Sequence, residues 1–372
     1  MATQIDWPER ARSIAAEISQ YAAAHDDDDS FVGEGYEALK REGFFKAMVP
    51  EEFRGSGASV ADICRSIRIL GAACGSTALA FSMHTHLVAT AAWRWRHLQA
   101  PTEGLMRKVG EGGAILLSSG GSDWLQSGGT AEKVDGGFRV TARKGFSSGA
   151  PAADTLVTSA VYADPAEGPT VLHFAVPLDA EGVELQQTWR VMGMRGTGSH
   201  DIVLSNVFVP DQAISGRRPQ GKWHPLFHAI SMIALPIIYS AYVGVAEGAR
   251  ERALALVSGR PADQGLIAWA GEMDNALAGV RLAHDRMIEI AETGSPSPET
   301  TNEVTILRTL VARFAIETVE RAMMVAGGAS FYRSKELERA FRDVQAARFH
   351  PLQEKVQLEY AGRMALGLNI DG

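Results

Sequence analysis

His350 lies seven residues after Asp343 of an Arg342-Asp343 pair and is followed by Pro351. Imidazole titrates near neutral pH, so a histidine held beside a reacting atom can take or give a proton there. Proline has no side-chain function that substitutes for an acid or base. His84 and His86 stand two residues apart, and His224 and His228 four apart, on stretches whose apolar spacing predicts helices. The His-x-His pair brings no third ligand, so it is not read as a metal site. The His224/His228 pair is read as solvent-facing. Cys64 and Cys74 fall on apolar helical stretches and read as buried thiols of a reducing compartment. The acidic run Asp26–Asp29 reads as a solvated turn between helices, and Asp123 as a structural cap.

Three stretches must position these groups. Residues 1–111 read as helical: Pro8 suits the first turn of a helix whose inner face carries Ile14, Ile18 and Tyr21. Further helices are expected at 34–41, 60–73 and 76–97. Residues 112–220 change to short β-branched runs, with Asp135-Gly136-Gly137 as a hairpin signal. Residues 221–372 return to helix, with long helices over 229–258 and 268–292 and a third carrying Val304, Leu307, Val311 and Phe314 at helical spacing. The expected class is α+β and multidomain: a helical domain, a β domain and an antiparallel bundle of four or five helices.

The chain has 372 residues, and its net charge of −8 with no basic, aromatic-studded stripe argues against nucleic-acid binding. No uninterrupted run of about 18 apolar residues appears, and the N-terminus is charged and amphipathic, so a cytoplasmic protein without a membrane span is expected.

The segment AGGASFYRSKELERAFRDVQAARFHPLQEK (326–355) resembles the flavin-site signature of the acyl-CoA dehydrogenase superfamily. The same resemblance runs through PEEFRGSGAS (50–59), GSDW (121–124), DGGFRVTARKGFSSGAPAAD (135–154) and MRGTGSHDIVLSNVFVPD (194–211), in order. It implies a fold in which the β domain and the bundle enclose FAD, or FMN in some members, and it implies a homotetramer. The flavin ring would meet the segment Ser118–Trp124, including Ser118 and Ser122, and the segment Phe146–Ser148. Phe146 would cover one ring face and Ser148 would approach N5, with Ser147 beside it. Gly327 and Gly328 would let backbone approach a neighbouring subunit's cofactor, since a Cβ would block it. Arg260 falls near an arginine that pairs with the pyrophosphate.

The resemblance also implies a loss. Dehydrogenation of a thioester needs a carboxylate base, and Pro351 stands where the family places that Glu. Some members carry it on the first bundle helix, but SMIALPIIYSAYVG (231–244) holds no carboxylate and has Leu235 in place of the family Arg. A branch similar to dibenzothiophene monooxygenase instead takes reduced flavin, often from a separate reductase, and reacts it with O2. There His350 would lie near the flavin, with His84 or His86 facing it. Three readings follow: a monooxygenase acting on a hydrophobic substrate, an acyl-thioester dehydrogenase with a non-standard base, or a scaffold without activity.

Overall fold

The computed structural model describes residues 5–119 and 121–371, except for the Ser122 side chain. Helix α1 (Trp7–Asp28) begins where Asp6 accepts the Glu9 amide at 2.9 Å, with Pro8 in its first turn. Ile14 and Ile18 are buried, but Tyr21 is exposed, because one turn beyond Ile18 falls on Ala22. Helices α2 (Gly33–Arg41), α3 (Val60–Ala73) and α4 (Gly75–Leu98) follow. Cys74 separates the last two, its buried Sγ accepting the Thr77 amide at 3.5 Å. A short α5 (Glu103–Gly110) leads into the sheet.

The strands are β1 (Leu116–Ser118), β2 (Thr130–Val134), β3 (Gly137–Ser147), β4 (Thr155–Asp164), β5 (Gly168–Pro177), β6 (Val183–Gln186), β7 (His200–Pro210) and β8 (Ile214–Pro219). They form one mixed sheet in the order β6-β7-β3-β2-β4-β5-β8, with β1 parallel to β4 at Leu116↔Thr155. The expected hairpin joins β2 to β3 through Asp135 and Gly136, the latter at φ +73°. Edge strands β6 and β8 have little apolar alternation and exist by pairing with β7 and β5.

Helices α6 (Pro225–Val257), α7 (Gln264–Thr293), α8 (Pro298–Ala326), α9 (Leu337–Val344) and α10 (Glu354–Ala365) complete the chain. Residues from both helical regions, among them Phe44, Ile67, Phe81, Tyr239 and Val311, share one core, while Phe138, Phe174 and Ile202 belong to a second core within the sheet. Helix α6 is the central rod. It is long and apolar enough to cross a membrane, yet its most apolar window is 94% buried inside the protein. It crosses α3 at Gly71 and Gly244, where a Cβ on Gly244 would stand 2.2 Å from the Arg68 carbonyl.

The acidic run corrects the expectation of a solvated turn. Asp26 is buried and takes both terminal nitrogens of Arg342; Asp27 pairs with Arg333, and Asp29 with Arg190 and Arg195. These bidentate and forked contacts tie α1 to α9 and to the loop before β7.

Candidate active site

Helix α4 is the spine of the site, because successive residues on it touch different walls. His84 is buried and uses both ring nitrogens: Nε2 donates to the Phe45 carbonyl at 2.7 Å and Nδ1 accepts the Leu116 amide at 2.9 Å. Burial pushes it down to about 4. It is a neutral clip joining residue 45, α4 and β1. The expectation of a catalytic His84 is corrected accordingly, since no ring nitrogen is left for a reacting atom. Met83, its neighbour, receives the Ser118 hydroxyl at 3.8 Å, so Ser118 closes β1 against α4. His86 is half-buried and also held near 4, by desolvation and then by His84.

His350 meets α6 from the opposite side. Its Nε2 lies 2.6 Å from the Tyr242 hydroxyl. Desolvation, then the Arg308 charge, then His86, push its pKa down to about 3. Arg308 on α8 is almost fully buried, and its Nη2 donates to the carbonyls of Ala347, Arg348 and His350 at 3.1, 3.3 and 2.6 Å. The Tyr239 hydroxyl donates to the Ala347 carbonyl at 2.8 Å, and the Arg308 guanidinium lies over the Tyr239 ring. These three residues were missed in the sequence. Their signal was two tyrosines three apart on an aliphatic helix and the first of the two arginines inside VTILRTLVARF. Pro351 packs on the other wall: a Cβ on Gly121 would come within 2.7 Å of its ring.

The sheet supplies the third wall. Lys144 is fully buried and donates to Asp123 at 2.7 Å and to the carbonyls of Gly128 and Ser159. Asp123 also accepts the Gly128 amide at 2.9 Å. This satisfied buried pair shapes the turn from 121 to 129, and Asp123 is structural. The Ser147 side chain points inward, its hydroxyl donating to the Lys144 carbonyl at 3.2 Å; the expected contact between its side chain and a cofactor is corrected. Ser148 is different. Its Oγ lies 2.7 Å from Ser199 Oγ, which lies 2.6 Å from Thr197 Oγ1, which donates to the Met194 carbonyl. Phe146 is not core: it is 61% exposed at φ +57°, edge-on to Trp189. The Ser122 side chain lies outside the described residues.

Arg342 and Asp343 work as a clasp. Asp343 is buried, is raised to about 6 by that burial, and accepts the Met194 amide. It thereby fixes the residue whose carbonyl anchors both Thr197 and Trp189 Nε1. Gly327 caps α8 at φ +67° and ψ −151°, a conformation that disfavours any side chain. A Cβ on Gly327 or Gly328 would meet nothing within 4 Å. Arg260 is exposed in the loop after α6 and makes no ion pair among the described residues. His224 caps α6 by accepting the Leu226 amide. His228 corrects the solvent-facing expectation: it is buried, 2.8 Å from Thr301 Oγ1 and stacked on Trp223.

The candidate site is the corner where α4, the 121–124 turn and His350-Pro351 meet, and exposed Phe146, half-buried Trp189 and the hydroxyl chain of Ser148, Ser199 and Thr197 complete the candidate set. Its acid-base groups are a neutral imidazole and a protonated phenol. The nearest acid of the turn, Asp123, is committed to Lys144. An exposed aromatic platform, a buried hydroxyl relay and an open glycine backbone fit a flat heteroaromatic cofactor.

Comparison with known proteins agrees with this architecture. Three successive domains of one family match: the acyl-CoA dehydrogenase N-terminal domain at residues 3–97, the middle domain at 118–207 and the C-terminal domain at 236–354. The chain belongs to the acyl-CoA dehydrogenase superfamily. Among its relatives, YdbM of Bacillus subtilis (strain 168), which carries an acyl-CoA dehydrogenase name, is 27% identical over 94% of this chain and 93% of its own. The indole-3-acetate monooxygenase of Pseudomonas putida is 28% identical over 89% of this chain and 86% of its own. The structure of KijD3 in complex with FMN superposes with a TM-score of 0.90 and 26% identity, covering 98% of this chain and 94% of that one.

Proposed function

We propose that this chain is a flavin-dependent monooxygenase that uses reduced FMN or FAD and O2 to oxygenate a hydrophobic small molecule. The observation that carries the reading is the His350-Pro351 corner. A thioester dehydrogenase needs a carboxylate there or on α6, and this chain has proline at 351 and no acid from 231 to 244. Beside that proline stands the uncharged His350 imidazole, bonded to a phenol.

Ser118, Phe146, Ser148 and the Gly327-Gly328 backbone are the residues that would hold the flavin. The bound flavin supplies electron transfer to oxygen. The protein's part is to exclude water with Phe146 and the Met83 face, to offer the Ser148 hydroxyl, and to hold one proton on His350. A separate reductase would supply the reduced flavin, and a homotetramer would place the Gly327 turn of one subunit at another's cofactor. The similarity to an indole-3-acetate monooxygenase supports this reading; the similarity to YdbM keeps the dehydrogenase as its rival.

The test is rapid mixing. The flavin-loaded protein is reduced without oxygen and mixed with oxygenated buffer while absorbance is recorded. A transient band distinct from reduced and oxidised flavin, shortened in His350→Ala, is expected. Direct return to oxidised flavin, with bleaching by an acyl-CoA panel under argon, overturns the proposal.

A further inference from the structure

His86, Thr90 and Arg94 follow on α4 at four-residue intervals and so share one face of the helix. Thr90 is buried, yet its Oγ1 has no hydrogen-bond partner among the described residues, and the same is true of the buried Nε1 of Trp124. Arg94 is half-buried and makes no ion pair or side-chain hydrogen bond among the described residues. A desolvated guanidinium without a counter-charge is costly, and burial lowers its pKa.

The surroundings of Arg94 repeat its sign. Its charge helps hold His173 and His224 below the usual imidazole range, after desolvation and Arg218. Arg218 is already committed: it donates to the Trp124 and Leu125 carbonyls and to His173 Nε2. Asp123 is committed to Lys144, and Glu299 bears on His228 farther along α6. Among the described residues of this cluster, Arg94 is therefore the cation without a partner. Beside this cluster stands half-buried Trp124, its ring 4.7 Å from that of Phe227, which is itself buried beneath Arg218.

We propose that the substrate is an aromatic or apolar compound carrying one oxyanion, a carboxylate or a phosphate, which pairs with Arg94 while its body lies against half-buried Trp124. The inference rests on the oxygenase reading only in taking this site as the substrate's. A guanidinium fork suits either oxyanion. The apolar body would run from Arg94 toward His86 and His350, which places its far end at the flavin side.

The test is calorimetric titration of the FMN-loaded protein with 1-naphthaleneacetate, 1-naphthyl phosphate and the neutral 1-naphthaleneacetamide. At least one anion is expected to bind about tenfold or more tighter than the amide, the increment of a charge-assisted hydrogen bond. Which anion gains identifies the acid group. Arg94→Gln removes the preference without weakening the amide, Arg94→Lys restores part of it, and unchanged melting of both shows the fold intact. Equal binding of anions and amide, a preference that survives Arg94→Gln, or no binding by any of the three overturns the proposal. The reduced-flavin and oxygen experiment needs no probe, so failure of the oxygenase reading and failure of the anion site are read separately.

Discussion

The Tyr242 hydroxyl and Nε2 of His350 lie 2.6 Å apart. The phenol is fully buried, and its pKa is raised well above the usual range by that burial, so it keeps its proton. No other acceptor takes that proton among the described residues. With the phenol as donor, the bond holds the imidazole as the tautomer whose proton is on Nδ1. Tyr242→Phe should fold, with a stability loss of about 1 kcal/mol. Substrate oxygenation should fall on the order of 10²-fold, with a greater share of reducing equivalents lost as hydrogen peroxide. Product and peroxide yields per reduced flavin check this; unchanged coupling would remove the tautomer from the mechanism.

The two glycines after α8 separate backbone need from ligand need. Gly327→Ala should cost on the order of 1–3 kcal/mol through its backbone conformation alone, since the added Cβ meets nothing in its own chain. Gly328→Ala should leave the melting of the flavin-free protein unchanged for the same reason. If the Gly328 backbone abuts a cofactor, that variant should bind flavin at least tenfold more weakly, as measured by fluorescence titration. Full flavin affinity in Gly328→Ala would free the turn from any role in the site.

Acid should unfold the protein well before its carboxylates titrate. His84, His86, His173, His284 and His350 are held near 3 to 4, chiefly by desolvation. In the unfolded chain each takes a proton as pH falls through about 6.5. The unfolded state then binds more protons, so stability is complete above about 6.5 and declines as pH falls toward the folded values. Asp343 has the opposite sign: raised to about 6, it contributes stability below the unfolded carboxyl value and loses it as pH rises through 6. One such group does not reverse five imidazoles. The melting temperature should fall from about pH 7 to about pH 5; a flat profile would contradict the neutral assignments.

The sequence was most informative where periodicity and turn chemistry are local. The helices at 60–73 and 75–98, the Asp135-Gly136 hairpin and the five main strands could be read because each is specified by its own residues. Strand β8, ISGRRP, could not, since only its pairing with β5 makes it a strand. In the candidate site, His350 could be marked by its neighbours Arg342-Asp343 and Pro351. His84 could not be told from a catalytic histidine, because its two partners, Phe45 and Leu116, lie 39 and 32 residues away. Ser147 and Ser148 look alike in sequence, and only the end of β3 at Ser147 and the turn after it give one the Lys144 carbonyl and the other Ser199 as partner. Arg308 reads as an ordinary helix residue until the fold brings it to three carbonyls.

The ion pair between Asp26 and Arg342 spans 316 residues of chain. During synthesis, Asp26 leaves the ribosome long before its cation on α9 exists. A nascent chain thus carries its first helix without its lock until nearly the whole polypeptide has been made. The loop at Met194, which docks on Asp343, waits for the same event. The contacts that join the two ends of the chain are therefore made last, and a chain that stops before α9 lacks Arg342, Asp343 and His350 together.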